Sequence, residues 1–214
     1  MTTLIAVSLA CVIGYLLGSI NTGIIISRAF FHDDVRTHGS GSAGMTNMLR
    51  TYGKAAAAGT AAGDVLKGVV SALLGGMLFA ALGVGLVPVC GRYLAGMAAM
   101  LGHMFPIYFG FKGGKGVLCA AGAVVATLPQ LVLALLVVFL IQFAFTRIVS
   151  LGSILVAAVY PFFALWLLLV SGVRGGSLVV CVLCAFGMAG MVIYMHRSNI
   201  SRLRNGTEYR FTKK

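Results

Sequence analysis

Five stretches of this chain, residues 1–27, 68–91, 117–146, 148–173 and 175–195, contain no Asp, Glu, Lys or Arg. Each is long enough to cross a bilayer, for which about 20 apolar residues suffice. In hydrocarbon every backbone N–H and C=O must find its partner within the protein, so runs of this kind are helices, and their unbroken apolarity excludes the alternation of a membrane β-barrel. The expected fold class is all-α, a polytopic integral membrane protein. Composition agrees, since 60% hydrophobic and 9% charged residues cannot furnish an ordinary soluble surface. The first run lacks a basic n-region and is longer than a signal h-region, so it reads as a retained helix. Cys11, Cys90, Cys119, Cys181 and Cys184 lie in apolar segments, as small packing residues do. Cys181 and Cys184 have CxxC spacing, but no second ligand pair is near, so neither a metal nor a cofactor is expected.

Spans are predicted near 3–28, 55–86, 88–108, 116–128, 130–146, 150–171 and 176–196. The stretch 116–146 is either one helix of about 45 Å or two segments broken near Pro129. Charge decides between them. With seven transmembrane helices, residues 29–54, 109–115, Arg147 and the tail from 197, including Lys213 and Lys214, share one side, and only Arg92 and Arg174 fall opposite. Six spans would divide the basic residues between the two faces, against the positive-inside tendency. The expectation is therefore an N-terminus outside and a C-terminus in the cytoplasm. Asp64 and Lys67 lie inside the second span and share a helix face. Two readings are open for them, a helix-end ion pair with a snorkelling lysine or part of a substrate site.

Three polar segments would then meet at the cytoplasmic side. The first, Asp33 to Arg50, contains Gly39, Ser40, Gly41, Gly44, Thr46 and Asn47, whose backbone and side-chain donors suit an oxyanion or phosphate. Taken alone it reads better as a flexible connection. The second runs from Gly102-His103 through Lys112-Gly113-Gly114-Lys115-Gly116 into the next apolar run. Glycines and lysines at a helix start make a plausible phosphate cradle, because a helix N-terminus offers unpaired N–H groups and positive potential. The spacing is not that of a Walker A loop. In the third, His196, Asn199 and Arg202 follow one face if the last helix continues, although a basic tail most often touches anionic lipid heads. Asn199 and Asn205 begin N-x-S/T triplets, set aside for a cytoplasmic tail. A net charge of +12 suits anionic ligands and membrane lipids. Nucleic acid is not an expected partner, since no soluble basic-aromatic surface remains.

At these residues the chain resembles the bacterial acyl-phosphate:glycerol-3-phosphate acyltransferase family (PlsY type), over essentially its whole length. The family's Gly-Ser-Gly-Asn-x-Gly-Ala-Thr-Asn run followed by Arg is matched at Gly39, Ser40, Gly41, Gly44, Thr46, Asn47 and Arg50. Its Asp-x-x-Lys-Gly is matched at Asp64, Lys67 and Gly68. Gly-His-x-Phe-Pro and Phe-Lys-Gly-Gly-Lys-Gly-Val follow at Gly102 to Pro106 and Phe111 to Val117. His-Arg-x-Asn-x-x-Arg-Leu with a later Gly-x-Glu runs from His196 to Glu208. Departures are Ser42 for Asn, Met45 for Ala, Leu118-Cys119 for Ala-Thr and Asn21 for an early Pro.

The resemblance implies a seven-helix inner-membrane enzyme, one membrane-embedded acyltransferase domain over residues 1–214. It would transfer a fatty acyl group from acyl phosphate to the 1-hydroxyl of glycerol 3-phosphate, giving lysophosphatidic acid and phosphate at the cytoplasmic side. The expected catalytic residues are Ser40, Arg50, His196 and Asn199. Expected substrate contacts are Gly41, Thr46, Asn47, Lys67, His103, Lys112, Gly113, Gly114, Lys115 and Gly116. No histidine has Asp five positions later, so the His-x4-Asp base of soluble-type acyltransferases is absent, and a substrate phosphate or His196 is left as base. The competing class is an anion or organic-phosphate transporter. It suffers from an outer face with only Arg92 and Arg174 and from the lack of a duplicated motif. A structural membrane subunit would leave the clustered His, Asn and Lys without a purpose.

Overall fold

The computed structural model describes residues 1–211; Lys213 and Lys214, counted above among the cytoplasmic cations, lie outside them. Among the described residues every regular element is helical. The α-helices are α1 (Thr2–Ser19), α2 (Thr22–Phe31), α3 (Met45–Tyr52), α4 (Lys54–Ala81), α5 (Pro88–Met104), α6 (Val117–Thr127), α7 (Gln130–Thr146), α8 (Val149–Val170), α9 (Gly175–Met195) and α10 (Arg197–Arg204), with single 3-10 turns at Val35–Thr37 and Ile107–Phe109. Four helical stretches are long and apolar enough to cross a membrane: Thr2–Phe31 taken through its break, Lys54–Ala81, Val149–Val170 and Gly175–Met195. Val117–Thr127 and Gln130–Thr146 are shorter apolar helices. At ~1.5 Å per residue α6 is about 16 Å long, roughly half the hydrocarbon thickness.

The stretch 116–146 is two helices, as the charge argument expects, because Pro129 lacks the N–H that would continue α6 and instead opens α7. The expected first span is interrupted, which the sequence reading did not foresee. Ile20 and Asn21 are extended, with ψ of 91° and 102°. The Asn21 side chain accepts from the N–H of Ile24 at 3.3 Å and so caps α2. Thus the asparagine that replaces the family's proline starts a new helix by capping it. The first polar segment also folds more than expected, since α3 forms within it.

The chain divides into two compact units, Met1–Thr127 and Leu128–Lys214. In the first, α5 packs on α1 and α4, and α6 packs on α4. Small residues allow these contacts, as is usual where lipid gives helices no hydrophobic incentive to associate. A Cβ on Gly18 would strike the Ala99 backbone, one on Gly68 the Cys119 carbonyl, and one on Gly75 the Gly91 carbonyl. In the second unit α8 lies between α7 and α9, and α10 leaves α9 at His196.

Replacing Gly75 by Leu forces α4 and α5 apart, an overpacking effect of at least 1–3 kcal/mol. Thermal unfolding in detergent should show a clear loss of stability, whereas Gly85→Ala, where nothing stands within 4 Å, should leave it unchanged.

Candidate active site

In the first unit the segment between α2 and α3 is a built loop. Asn47, 1% exposed, donates through Nδ2 to the carbonyls of Val35, His38 and Ser42, each at 3.0 Å, and accepts from the Ser40 N–H at 3.1 Å. Gly39, at φ 55°, lies so close that a Cβ would overlap Asn47 Oδ1. The predicted substrate donor Asn47 therefore has its amide engaged in shaping the loop that carries Ser40. Ser40 and Arg50 are exposed, and Thr46, in the first turn of α3, is half-buried.

Two residues outside the predicted set fasten this loop to the second polar segment. The Arg36 guanidinium donates to Asp34 at 2.7 and 2.9 Å and to the carbonyls of Phe109 and Lys112 at 2.7 and 2.9 Å. Arg28 adds a 3.0 Å contact to Asp34. These bonds, Arg36 foremost, hold the Asp34 carboxyl well below the usual range although burial opposes them. The Ala43 N–H donates to the Gly113 carbonyl at 3.4 Å. Asp33 accepts from Tyr52 at 2.8 Å and contacts His38 at 2.6 Å. The Tyr52 hydroxyl is pushed up to about 12, by burial first and then by the Asp33 carboxylate.

The glycine loop differs from the expected cradle. The Gly113 and Gly114 N–H groups donate to the carbonyls of Met104 and His103, both at 3.1 Å, so they are turned back onto the end of α5. What the loop presents instead is the start of α6. Its first intrahelical bond runs from Ala120 to Gly116, which leaves the N–H groups of Val117, Leu118 and Cys119 without partners inside the helix. Gly116, at φ 79°, makes the turn into α6. Lys115 is half-buried and Lys112 exposed.

Beneath this loop lies a buried polar group. Lys67, 8% exposed, places Nζ 2.9 Å from Asp64 Oδ1, 2.8 Å from His103 Nδ1 and 3.0 Å from the Ile20 carbonyl. Asn21 Nδ2 reaches the His103 carbonyl at 3.4 Å. Of the two readings open for Asp64 and Lys67, neither covers this fully: the pair is deep in the unit, and it binds the break between α1 and α2 to α5.

In the second unit, His196 is 2% exposed, and its Nδ1 lies 2.7 Å from the Val192 carbonyl, which places the ring proton on Nδ1. The helix does continue past 196, and Asn199 and Arg202 share a partner, Glu208. Its Oε1 accepts from Asn199 Nδ2 and Ser150 Oγ and its Oε2 from Arg202 Nε, all at 2.7 Å. Burial pushes the Glu208 carboxyl up, but these three donors outweigh it and bring it below the usual range. Sequence reasoning noticed Glu208 only as part of a motif; the spacing from Asn199 and Arg202 gave no sign that a turn at 205–207 would fold it back.

The two units together define an all-helical membrane protein whose polar segments are cationic and rich in backbone donors, the class that handles phosphate compounds. The sequence profile of the glycerol-3-phosphate acyltransferase family matches residues 8–206, and the chain belongs to that family. It is 42% identical over 203 residues to a glycerol-3-phosphate acyltransferase of Clostridioides difficile, covering 95% of this chain and 94% of that one. To the protein of that name from Geobacter sulfurreducens it is 42% identical over 200 residues, covering 93% and 94%. Two crystal structures of PlsY (YgiH), an integral membrane glycerol 3-phosphate acyltransferase, are similar at 36% identity. The glycerol 3-phosphate form superposes with a TM-score of 0.80 and 96% of both chains covered. The lysophosphatidic acid form gives 0.77, with 96% of this chain and 95% of that one covered.

Because the Glu208 carboxyl is depressed in the folded protein, its contribution is complete above the ordinary carboxylate range near pH 4 and is lost as pH falls through the lowered value. Glu208→Gln keeps the shape and loses the charge-assisted bond to Arg202, at a cost of about 1.5–3 kcal/mol. Protease nicking of the tail near residues 205–207 should increase in wild type only in acid and in E208Q already at neutral pH.

Proposed function

We propose that this chain transfers a fatty acyl group from acyl phosphate to the 1-hydroxyl of glycerol 3-phosphate, releasing lysophosphatidic acid and inorganic phosphate. The observation that carries the reading is its match, over 96% of its length, to an enzyme whose structures hold glycerol 3-phosphate and lysophosphatidic acid. The donor is assigned on chemistry. Acyl phosphate is a mixed anhydride with a good leaving group, so the protein has to orient two anions, screen their repulsion and stabilise the tetrahedral oxyanion. Lysines, arginines and backbone donors do this.

In this reading the acceptor hydroxyl adds to the acyl carbonyl, the carbon–oxygen bond to phosphate breaks, and the hydroxyl proton passes to a phosphate oxygen or to Nε2 of His196. Lys112, Lys115, Gly116 and the start of α6 hold one phosphate. Ser40, Gly41, Thr46 and Arg50 orient the other and the oxyanion, on the loop shaped by Asn47. His196 and Asn199 position the acceptor. Lys67, Gly113 and Gly114 serve by fixing the loop. Residues 1–214 act as one membrane-embedded domain of the bacterial inner membrane, with seven spans, the N-terminus outside, and the C-terminus and active site cytoplasmic. The distribution of Lys and Arg supports this orientation. A transporter is the poorer reading, because relatives across the whole chain carry the acyltransferase name.

Purified protein given acyl phosphate and glycerol 3-phosphate should release lysophosphatidic acid, and acyl-CoA in place of acyl phosphate should not support turnover. Ser40→Ala, Lys115→Ala and His196→Ala should each lower the rate by a factor of about 10² or more, as loss of an oriented polar group does; full activity in all three would remove the assignment. Labelling of single cysteines in intact cells, at position 2 from outside and at position 205 only after permeabilisation, checks the orientation.

A further inference from the structure

We infer that His38 is a positioning residue for Ser40, acting through the bond between its ring and Asp33. The inference rests on the acyl-transfer reading above and adds to it the group that aims the serine. Ser40 stands between two glycines in the left-handed region, Gly39 at φ 55° and Gly41 at φ 68°. Glycine has the widest backbone freedom of any residue, so such a pair does not by itself hold a hydroxyl in one direction. Among the described residues Ser40 is tied only through its N–H, to Asn47 Oδ1 at 3.1 Å. The turn around it closes on His38, whose carbonyl accepts from the Gly41 N–H at 2.9 Å and from Asn47 Nδ2 at 3.0 Å. Where the serine hydroxyl points therefore depends on where His38 is held.

Two bonds hold His38. Its N–H donates to the Val35 carbonyl at 3.2 Å, and its ring Nε2 stands 2.6 Å from Asp33 Oδ2. A carboxylate only accepts, so Nε2 carries the hydrogen. Asp33 is itself fixed from several sides. The same oxygen accepts from the Tyr52 hydroxyl at 2.8 Å, and Oδ1 accepts from the Asp34 N–H at 2.7 Å. Tyr52 ends α3, and its ring stacks at 4.3 Å on that of Phe31, which ends α2. The carboxylate is thus anchored to the two helices that flank the loop, and the imidazole carries that anchorage to the turn. The neighbouring acid, Asp34, is taken up by Arg28 and Arg36 at 3.0 and 2.7 Å, so it does not compete for the ring. Asn47 fixes the loop from within, and Asp33 fixes its entry from the helices on either side. The side chains of His38 and Asp33 are 44% and 38% exposed. Exposed pairs add little to overall stability, so this bond acts on the turn, and its loss leaves the unit folded.

The test asks whether the histidine works through the serine. In His38→Gln the side-chain amide nitrogen can stand where Nε2 stands and donate to Asp33, whereas His38→Ala removes the bond. With acyl phosphate and glycerol 3-phosphate, H38A and Asp33→Ala should each lower kcat about tenfold, and H38Q should stay within about threefold of wild type. In a Ser40→Ala background the further loss from His38→Ala should be less than about twofold, because the group it aims is gone. Wild-type kcat in H38A, equal values for Gln and Ala, or the same tenfold loss with and without the serine overturn the inference. A second measurement needs no turnover. Hydrogen exchange at the amides of Ser40 and Gly41 should quicken about tenfold or more in H38A and D33A but not in H38Q, since local opening sets its rate. Unchanged exchange in H38A overturns the inference as well. If the wild-type protein makes no lysophosphatidic acid yet exchange responds in this way, the acyl-transfer reading falls and the bracing of Ser40 stands.

Discussion

A lysine ammonium cannot remain inside packed apolar helices unless its charge is matched and each of its hydrogens finds an acceptor. The arrangement of the first unit around Lys67 follows from that demand. Asp64, one turn earlier on α4, supplies the charge. The Ile20 carbonyl becomes available because α1 stops there, which ties the interruption of the first span to the lysine. His103 at the end of α5 gives the ammonium a second acceptor beside that carbonyl and holds the glycine loop on its own carbonyl. One buried cation thereby sets the relation among α1, α2, α4, α5 and the start of α6. Losing Asp64 alone would leave the cation uncompensated, a change that costs about 3–5 kcal/mol in buried pairs of this kind.

Above that group, the polar segments owe their shape to a few side chains that bond the loops together. Asn47 satisfies three carbonyls and one N–H of a loop that would otherwise be mobile. Arg36 bridges Asp34 to the carbonyls of Phe109 and Lys112 and so joins the Ser40 loop to the lysine loop within the unit. Glu208 does the same service in the second unit, gathering Asn199, Arg202 and Ser150. Rigid placement of this kind is what catalysis by orientation requires, because misplacement by about 1 Å can cost two orders of magnitude in rate.

The helices and most of the polar positions could be read directly, since apolar runs have one solution in lipid and charge has few places to go. Pro129 marked a real break for the same local reason, the missing N–H. Asn21 could not be read so: an asparagine in an apolar run signals nothing until a cap and a lysine are seen to use the break. The glycine loop could be picked out as a polar segment, but sequence spacing does not say that Gly113 and Gly114 donate backward to α5. Asp34, Arg36 and Glu208 escaped the predicted set, because the carbonyls that Arg36 binds lie 73 and 76 positions away, Asp34 matters only through the arginine it holds, and Glu208 reaches its partners by a turn that no periodicity announces.

What the sequence determined by itself is the all-helical membrane character, the crowding of cations onto a few polar segments, and through its ordered motifs the acyltransferase family. These follow from quantities local to the chain: hydropathy, charge and residue identity in order. Only the tertiary structure decided which donors are consumed in holding the loops, for a hydrogen bond depends on direction in space between residues such as Lys67 and His103, 36 positions apart.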